Sequence, residues 1–66
     1  MTVKYFRDTD TALLVFSTHA VEETREISQN VYIDLDKSGN LVSMTIEHAA
    51  TLAALPSVTL EEIGAA

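Results

Sequence analysis

The sequence predicts an α+β fold in which a small antiparallel sheet of four strands, built from β-hairpins, precedes a short C-terminal helix. Two segments alternate apolar and polar residues on either side of residues 37–40, which is the pattern of a half-buried hairpin. A short apolar run near the N-terminus adds a strand, and alanines and leucines at helical spacing follow the hairpin. Residues 1–66 are too few for more than one domain.

The first two predicted strands flank a turn. Val3–Arg7 is rich in β-branched and aromatic residues, and Asp8–Thr11 is a cluster of turn residues. Ala12–Ser17 is an apolar run bounded by turn residues, which predicts a strand that is covered on both faces. We expect the polar segment Thr18–Glu23 to connect this hairpin to the next one.

The third and fourth predicted strands form the clearest unit. Ile27–Asp36 and Leu41–His48 alternate in polarity, and Gly39 and Asn40 in the loop between them both tolerate a positive φ. Because a shift by one residue would bury hydroxyl groups among aliphatic side chains, the register is well specified. The predicted pairs are Val31 with Ile46, Tyr32 with Thr45, Ile33 with Met44, Asp34 with Ser43, and Leu35 with Val42.

The periodicity changes to a helical one after the hairpin. His48–Leu55 contains four alanines and two leucines, which predicts a short helix that stops at Pro56. A second helix start follows, with Thr59 as the N-cap and Glu62 completing a capping box. One helical turn is not stable alone, so we expect this segment either to dock on another surface or to fray.

Composition excludes several classes of function. The chain has no cysteine, which excludes disulfides, thiolate metal sites and a cysteine nucleophile. Ten acidic and four basic residues give a net charge of -6, which argues against a nucleic-acid partner. No apolar stretch is long enough to span a membrane and no signal-peptide core is visible, so we expect a cytoplasmic protein without a membrane partner. A core this small predicts a homo-oligomer, most simply a dimer.

Few residues are candidates for chemistry, and we predict no catalytic residue, no cofactor and no enzyme. Asp34, Asp36, Ser38 and Gly39 match the opening of a calcium loop, but Thr45 stands where the bidentate acid belongs, which favours an ordinary hairpin turn. We expect Asp8 and Asp10 to be turn residues that accept local backbone N–H groups. We expect His19 to be a solvated side chain. His48, beside Glu47, is expected to be a structural or capping residue rather than a metal ligand.

Several motifs together resemble a known family. They are Tyr5 with Asp8, Asp10 and Ala12-Leu13; Thr24-Arg25-Glu26-Ile27; Tyr32-Ile33-Asp34-Leu35-Asp36; Gly39-Asn40-Leu41-Val42; and Ile46-Glu47-His48-Ala49. Over about residues 3–50 the chain resembles the small prokaryotic proteins grouped as domain of unknown function 2283. Many relatives have Gly where Ser43 stands, and a Tyr near Val15 or Phe16. The resemblance implies a compact antiparallel sheet with a short helix, no settled activity, and an antitoxin-like or partner-binding role.

Three functions follow from these observations. The first is a non-enzymatic module that self-associates through sheet edges or through the apolar face of the sheet. The second is an acidic neutraliser of a small basic partner protein, for which the net charge would speed encounter. The third is a weak metal binder that uses Asp34, Asp36, Glu47 and His48.

Overall fold

The computed structural model describes residues 1–64 and shows one antiparallel sheet of five strands followed by a short helix. The elements are β1 (Thr2–Phe6), β2 (Thr11–Val15), β3 (Glu23–Ser28), β4 (Val31–Leu35), β5 (Leu41–Glu47) and α1 (Ala49–Ala53). The strand order is β1-β2-β5-β4-β3. The last strand in sequence, β5, therefore lies at the centre and joins the β1–β2 hairpin to the β3–β4 hairpin.

The prediction of four strands is wrong, because the expected strand Ile27–Asp36 is two strands. It contains the end of β3 and all of β4, which are joined by a tight turn at residues 29–30. The expected connection Thr18–Glu23 also ends inside β3. Every residue of β3 is exposed, and Ile27 is the only apolar residue in the strand. An edge strand with so little apolar surface lacks the hydrophobic alternation by which strands are recognised in sequence.

The predicted register of the central hairpin is confirmed at four of its five pairs, from Val31 opposite Ile46 to Asp34 opposite Ser43. The fifth pair is wrong, because an irregularity after Asp34 places Leu35 opposite Leu41 instead of Val42. The loop that follows β4 is closed by a backbone hydrogen bond that is compatible with this shifted register. The Asp36 N–H donates to the Asn40 carbonyl at 2.9 Å, and Gly39 has a φ of 83°.

The buried core lies where α1 crosses the sheet. Ala12, Ala49 and Leu55 are its buried members, and Tyr5, Leu14 and Ile46 pack against them. Ala12 is fully buried because it stands between Tyr5 of β1 and Ile46 of β5 and beneath α1. The expectation that Ala12–Ser17 is covered on both faces is met only at Ala12, since the other residues of β2 are half buried.

The helix is shorter than predicted. It spans Ala49–Ala53 rather than His48–Leu55, and both flanking residues, His48 and Ala54, adopt left-handed conformations that end it. Within the described chain, residues 58–64 form no helix, so the second helix start at Thr59 is not realised. No helix among residues 1–64 has the length and apolar character that a membrane crossing requires.

Candidate functional site

The loop between β4 and β5 is organised by one carboxylate. Asp36 Oδ1 accepts the backbone N–H groups of Ser38 and Asn40, each at 2.9 Å. This turn is the structure that the Asp-x-Ser-Gly pattern predicts when no calcium is involved, because Asp side chains commonly accept backbone N–H groups within a turn. The hairpin turn is therefore confirmed, and it leaves Asp36 Oδ2 for a different partner.

That partner is His19, from the connection between β2 and β3. His19 Nδ1 lies 2.9 Å from Asp36 Oδ2. The backbone N–H of His19 donates to Ser17 Oγ at 3.3 Å, which helps to place the residue. The His19 side chain is 63% exposed and that of Asp36 only 9%. His19 is therefore solvated as expected, but it also makes a contact across 17 residues that the sequence did not indicate.

His19 and Asp36 stand at the wall of an open cleft of about 430 Å³. Its lining includes Glu22, Lys37, Ser38 and Asn40, so both signs of charge are present. Because Nδ1 faces Asp36, the other ring nitrogen, Nε2, points away from the carboxylate. Among the described residues, the ring's one hydrogen-bond partner is Asp36, so the nucleophile–base contact of acyl-transfer sites is not formed here.

The contacts of Asp36 lower its pKa. The largest cause is the hydrogen bond with His19, followed by the N–H group of Asn40. Because the folded pKa lies below the ordinary value, ionised Asp36 stabilises the fold above that value. This stabilisation is lost as the pH falls through the lower folded value.

We expect Asp36→Asn to weaken the dependence of stability on acid. Between neutral pH and about pH 2, the wild type should lose more of its free energy of unfolding than the variant does, mainly below about pH 4. The measurement is urea unfolding across this pH range. An acid dependence as steep in the variant as in the wild type would contradict the role assigned to Asp36.

A second carboxylate fastens the helix to the first hairpin. Asp10 Oδ1 accepts the Tyr5 hydroxyl at 2.6 Å and the Ala50 N–H at 3.0 Å, and the Asp10 carbonyl accepts the Ala49 N–H at 2.9 Å. Asp10 has a φ of 52°, which directs its groups towards the helix. The prediction that Asp10 accepts local N–H groups is therefore wrong, because its backbone donor lies 40 residues away.

These contacts shift two pKa values in opposite directions. The Tyr5 hydroxyl, and next the Ala50 N–H, lower the pKa of Asp10. The same hydrogen bond to Asp10, together with burial, raises the pKa of Tyr5. The pair therefore holds α1 while Asp10 is ionised and Tyr5 is protonated, which includes neutral pH.

Replacing Tyr5 by phenylalanine should raise the pKa of Asp10 towards its ordinary value, because the hydroxyl that stabilises the carboxylate is removed. The melting temperature should fall on the order of 5 °C. A carbon-detected NMR titration of the aspartates and a thermal melt measure the two effects. An unchanged Asp10 pKa would show that this hydrogen bond does not form in solution.

A third carboxylate lies on the opposite face of the sheet from α1. Asp34 accepts the Thr24 hydroxyl at 2.6 Å and the Ser43 hydroxyl at 2.5 Å. Ser43 is the one buried polar residue of the described chain. Ser43 therefore supplies a hydrogen bond between the neighbouring strands β5 and β4.

Residues 2–49 match the family described as "Protein of unknown function (DUF2283)". The chain belongs to this family. The resemblance noted over about residues 3–50 is thus confirmed, and the match includes all five strands of the sheet. It ends at Ala49, the first residue of α1, so the Ala50 N–H that binds Asp10 lies just outside the DUF2283 region. No curated protein and no solved structure matches the chain.

The proposed metal ligands of this DUF2283 protein are not brought together. Asp34 is engaged by hydroxyl groups, and Asp36 by its own turn and by His19. The charge of Glu26, and next that of Glu47, raises the pKa of Tyr32. Residues 1–64 contain no group of three or more His, Asp or Glu residues that could hold a metal ion.

His48 has a backbone role in the DUF2283 fold. It is the N-cap residue of α1, with a φ of 54°, and its carbonyl accepts the Leu52 N–H at 2.9 Å. Its side chain makes no capping hydrogen bond. The prediction of a structural or capping histidine is therefore confirmed for the backbone, while the ring is not what forms the cap.

Sequence reasoning missed the partners of Asp10 and Asp36. Both aspartates were recognised as turn residues, but Ala50 and His19 reach them only through the tertiary fold. The His19 contact depends on the connection after β2 running back beside the β4–β5 loop. No local sequence pattern predicts the path of this connection. The one hint in the sequence was the presence of a histidine, His19, within a polar connection.

Proposed function

We propose that the protein is a non-enzymatic module that self-associates. The observation that supports this most directly is the small core. Among the described residues no large side chain is fully buried, and the buried apolar residues are Ala12, Val42, Ala49 and Leu55. A chain of this length has little stability to spare, and hiding apolar surface against a second copy is one of the few ways to add some.

Two surfaces of the sheet leave apolar groups in contact with water. One is the row formed across four strands by Val3, Leu14, Met44 and Ile33, which lies beside the row that α1 covers and is exposed at Val3 and half buried at the other three. The other is the edge strand β1, in which four of the five residues are exposed. Either surface would lose contact with water when two copies meet, so both support self-association.

The polar clusters support a role without catalysis. Three aspartates, Asp10, Asp34 and Asp36, each accept hydrogen bonds from hydroxyl, ring or backbone donors. Carboxylates that already accept hydrogen bonds within loops and between strands are not positioned to transfer protons to a substrate. The His19 ring, which is 63% exposed, has only Asp36 as a hydrogen-bond partner among the described residues.

Light scattering after size exclusion tests the proposal. At micromolar concentration we expect a mass of twice the 7.2 kDa chain, and unfolding midpoints that rise with protein concentration. A monodisperse particle of one chain mass, with midpoints independent of concentration, would contradict self-association.

The acidic edge of the sheet favours a second candidate, the neutralisation of a small basic protein. Glu22, Glu23 and Glu26 lie in or beside the exposed strand β3, and the chain carries a net charge of -6. Arg25 pairs with Glu23, but an exposed pair of this kind has little strength. A concentration of negative charge at one edge would speed encounter with a positive surface.

Co-expression with a basic protein encoded next to this one tests the second candidate. We expect a complex whose affinity falls as salt is added. The double variant Glu22→Lys/Glu26→Lys should lower the affinity further. The control variant Glu61→Lys should leave the affinity unchanged. Separate elution of the two proteins at low salt would contradict this candidate.

A further inference from the structure

The two edges of the sheet differ in polarity, in charge and in the regularity of their register. At one edge, β3 is polar, carries three charged residues and has an irregular register between Glu26 and Ser28. At the other edge, β1 has Lys4 as its single charge, and it pairs with β2 residue for residue along its whole length. Charges and bulges on an edge strand protect it from pairing with other chains, and a regular apolar edge lacks this protection.

The side chains of β1 are also unusually apolar for an exposed strand. Val3 is 36% exposed and Phe6 is 46% exposed, and Met1, which precedes the strand, is 79% exposed. The distribution of charge also favours this edge over the other. In a chain with a net charge of -6, two glutamates stand in β3 at the far edge, whereas Lys4 is the single charged residue of β1, so little like-charge repulsion opposes a second copy there.

We propose that β1 pairs antiparallel with β1 of a second copy, so that the dimer contains a continuous sheet of ten strands. This inference rests on the proposed self-association and names the surface that performs it. The outward backbone N–H and C=O groups of β1 would gain partners, which supplies direction and specificity that a purely apolar contact lacks.

The proposed pairing also has a preferred register. In a two-fold antiparallel pair the residues opposite each other lie on the same face, so the axis passes at Val3, Lys4 or Tyr5. An axis at Lys4 would place two lysines directly opposite, which is unfavourable. An axis at Tyr5 would place Val3 and Thr2 opposite Arg7 and Asp8, two charged residues of the β1–β2 turn. We therefore place Val3 opposite Val3, with Thr2 facing Lys4 and Met1 facing Tyr5.

Cysteine substitution tests this register cleanly, since the chain has no cysteine of its own. Opposed residues of an antiparallel pair are close enough for a disulfide, so Val3→Cys should form a covalent dimer under mild oxidation. The matched control is Glu26→Cys on the protected edge. Linkage of Val3→Cys should be about a hundredfold faster, because the two thiols are held at a high effective concentration.

Hydrogen exchange of the unmodified protein gives an independent measurement. The outward amides of β1 should be protected at concentrations where the chain is dimeric, while those of β3 exchange freely. Equal linkage of the two cysteine variants, or a wild-type dimer in which the outward β1 amides exchange freely, would overturn the β1 interface and leave self-association standing. A Met44→Glu variant that then dissociates would assign the interface to the sheet face. A wild-type monomer by light scattering would overturn both proposals.

Discussion

Replacing Leu55 by alanine is expected to lower the free energy of unfolding by about 3 kcal/mol. Leu55 is the largest member of the buried cluster, in which its companions Ala12 and Ala49 contribute only methyl groups. Removing its side chain withdraws the main apolar contact between the segment after α1 and the sheet, and leaves a cavity that the short helix cannot fill. For a chain of 66 residues this is a large part of the total stability.

Leu60→Ala is the matched control for this experiment. The same atoms are removed from a side chain that is 90% exposed, so the free energy of unfolding should change by no more than about 0.5 kcal/mol. Urea unfolding of both variants and the wild type at one protein concentration gives the comparison. An equal loss in the two variants would mean that Leu60 is buried in solution, and a negligible loss in both would mean that Leu55 is not part of the core.

Enlarging Ala49 should be almost as damaging as truncating Leu55. Ala49 is fully buried where α1 meets the sheet, so Ala49→Leu forces extra methylene groups into a filled space and should cost about 1–3 kcal/mol. The helix would have to move away from Ala12, and the hydrogen bond from the Ala49 N–H to the Asp10 carbonyl would be strained.

The adjacent alanine provides the control. Ala50 is exposed on the same helix, and leucine is a good helix former, so Ala50→Leu should leave stability unchanged within about 0.5 kcal/mol. Thermal and urea unfolding of the two variants measure the difference. If Ala50→Leu lowers the stability more than Ala49→Leu does, then Ala50 rather than Ala49 faces the sheet.

Local patterns predicted the parts of the fold that depend on neighbouring residues. The alternation around residues 37–40 predicted the β4–β5 hairpin and four of its five pairs, because one buried face specifies the register. The shift at Leu35 was not predictable in this way. Leu41 and Val42 are both aliphatic, so hydrophobicity does not distinguish a pair with one from a pair with the other.

The parts that depend on distant residues could not be predicted. The strand β3 forms because β4 offers an unpaired edge, although its own sequence carries almost no apolar signal. The Asp36 turn was evident from the sequence, whereas its contact with His19 was not. In the same way Asp10 was recognised as a turn residue, but the helix that it fastens is placed by the whole sheet.

The central position of β5 has a consequence for how the chain folds during synthesis. Until residues 41–47 have left the ribosome, the nascent chain can form only two separate hairpins, and an isolated hairpin is marginally stable at best. Residues 1–40 must therefore remain without a lasting tertiary structure until the strand that joins the two hairpins is available. Folding should then occur nearly all at once, after β5 and the helix that closes over Ala12 have both emerged.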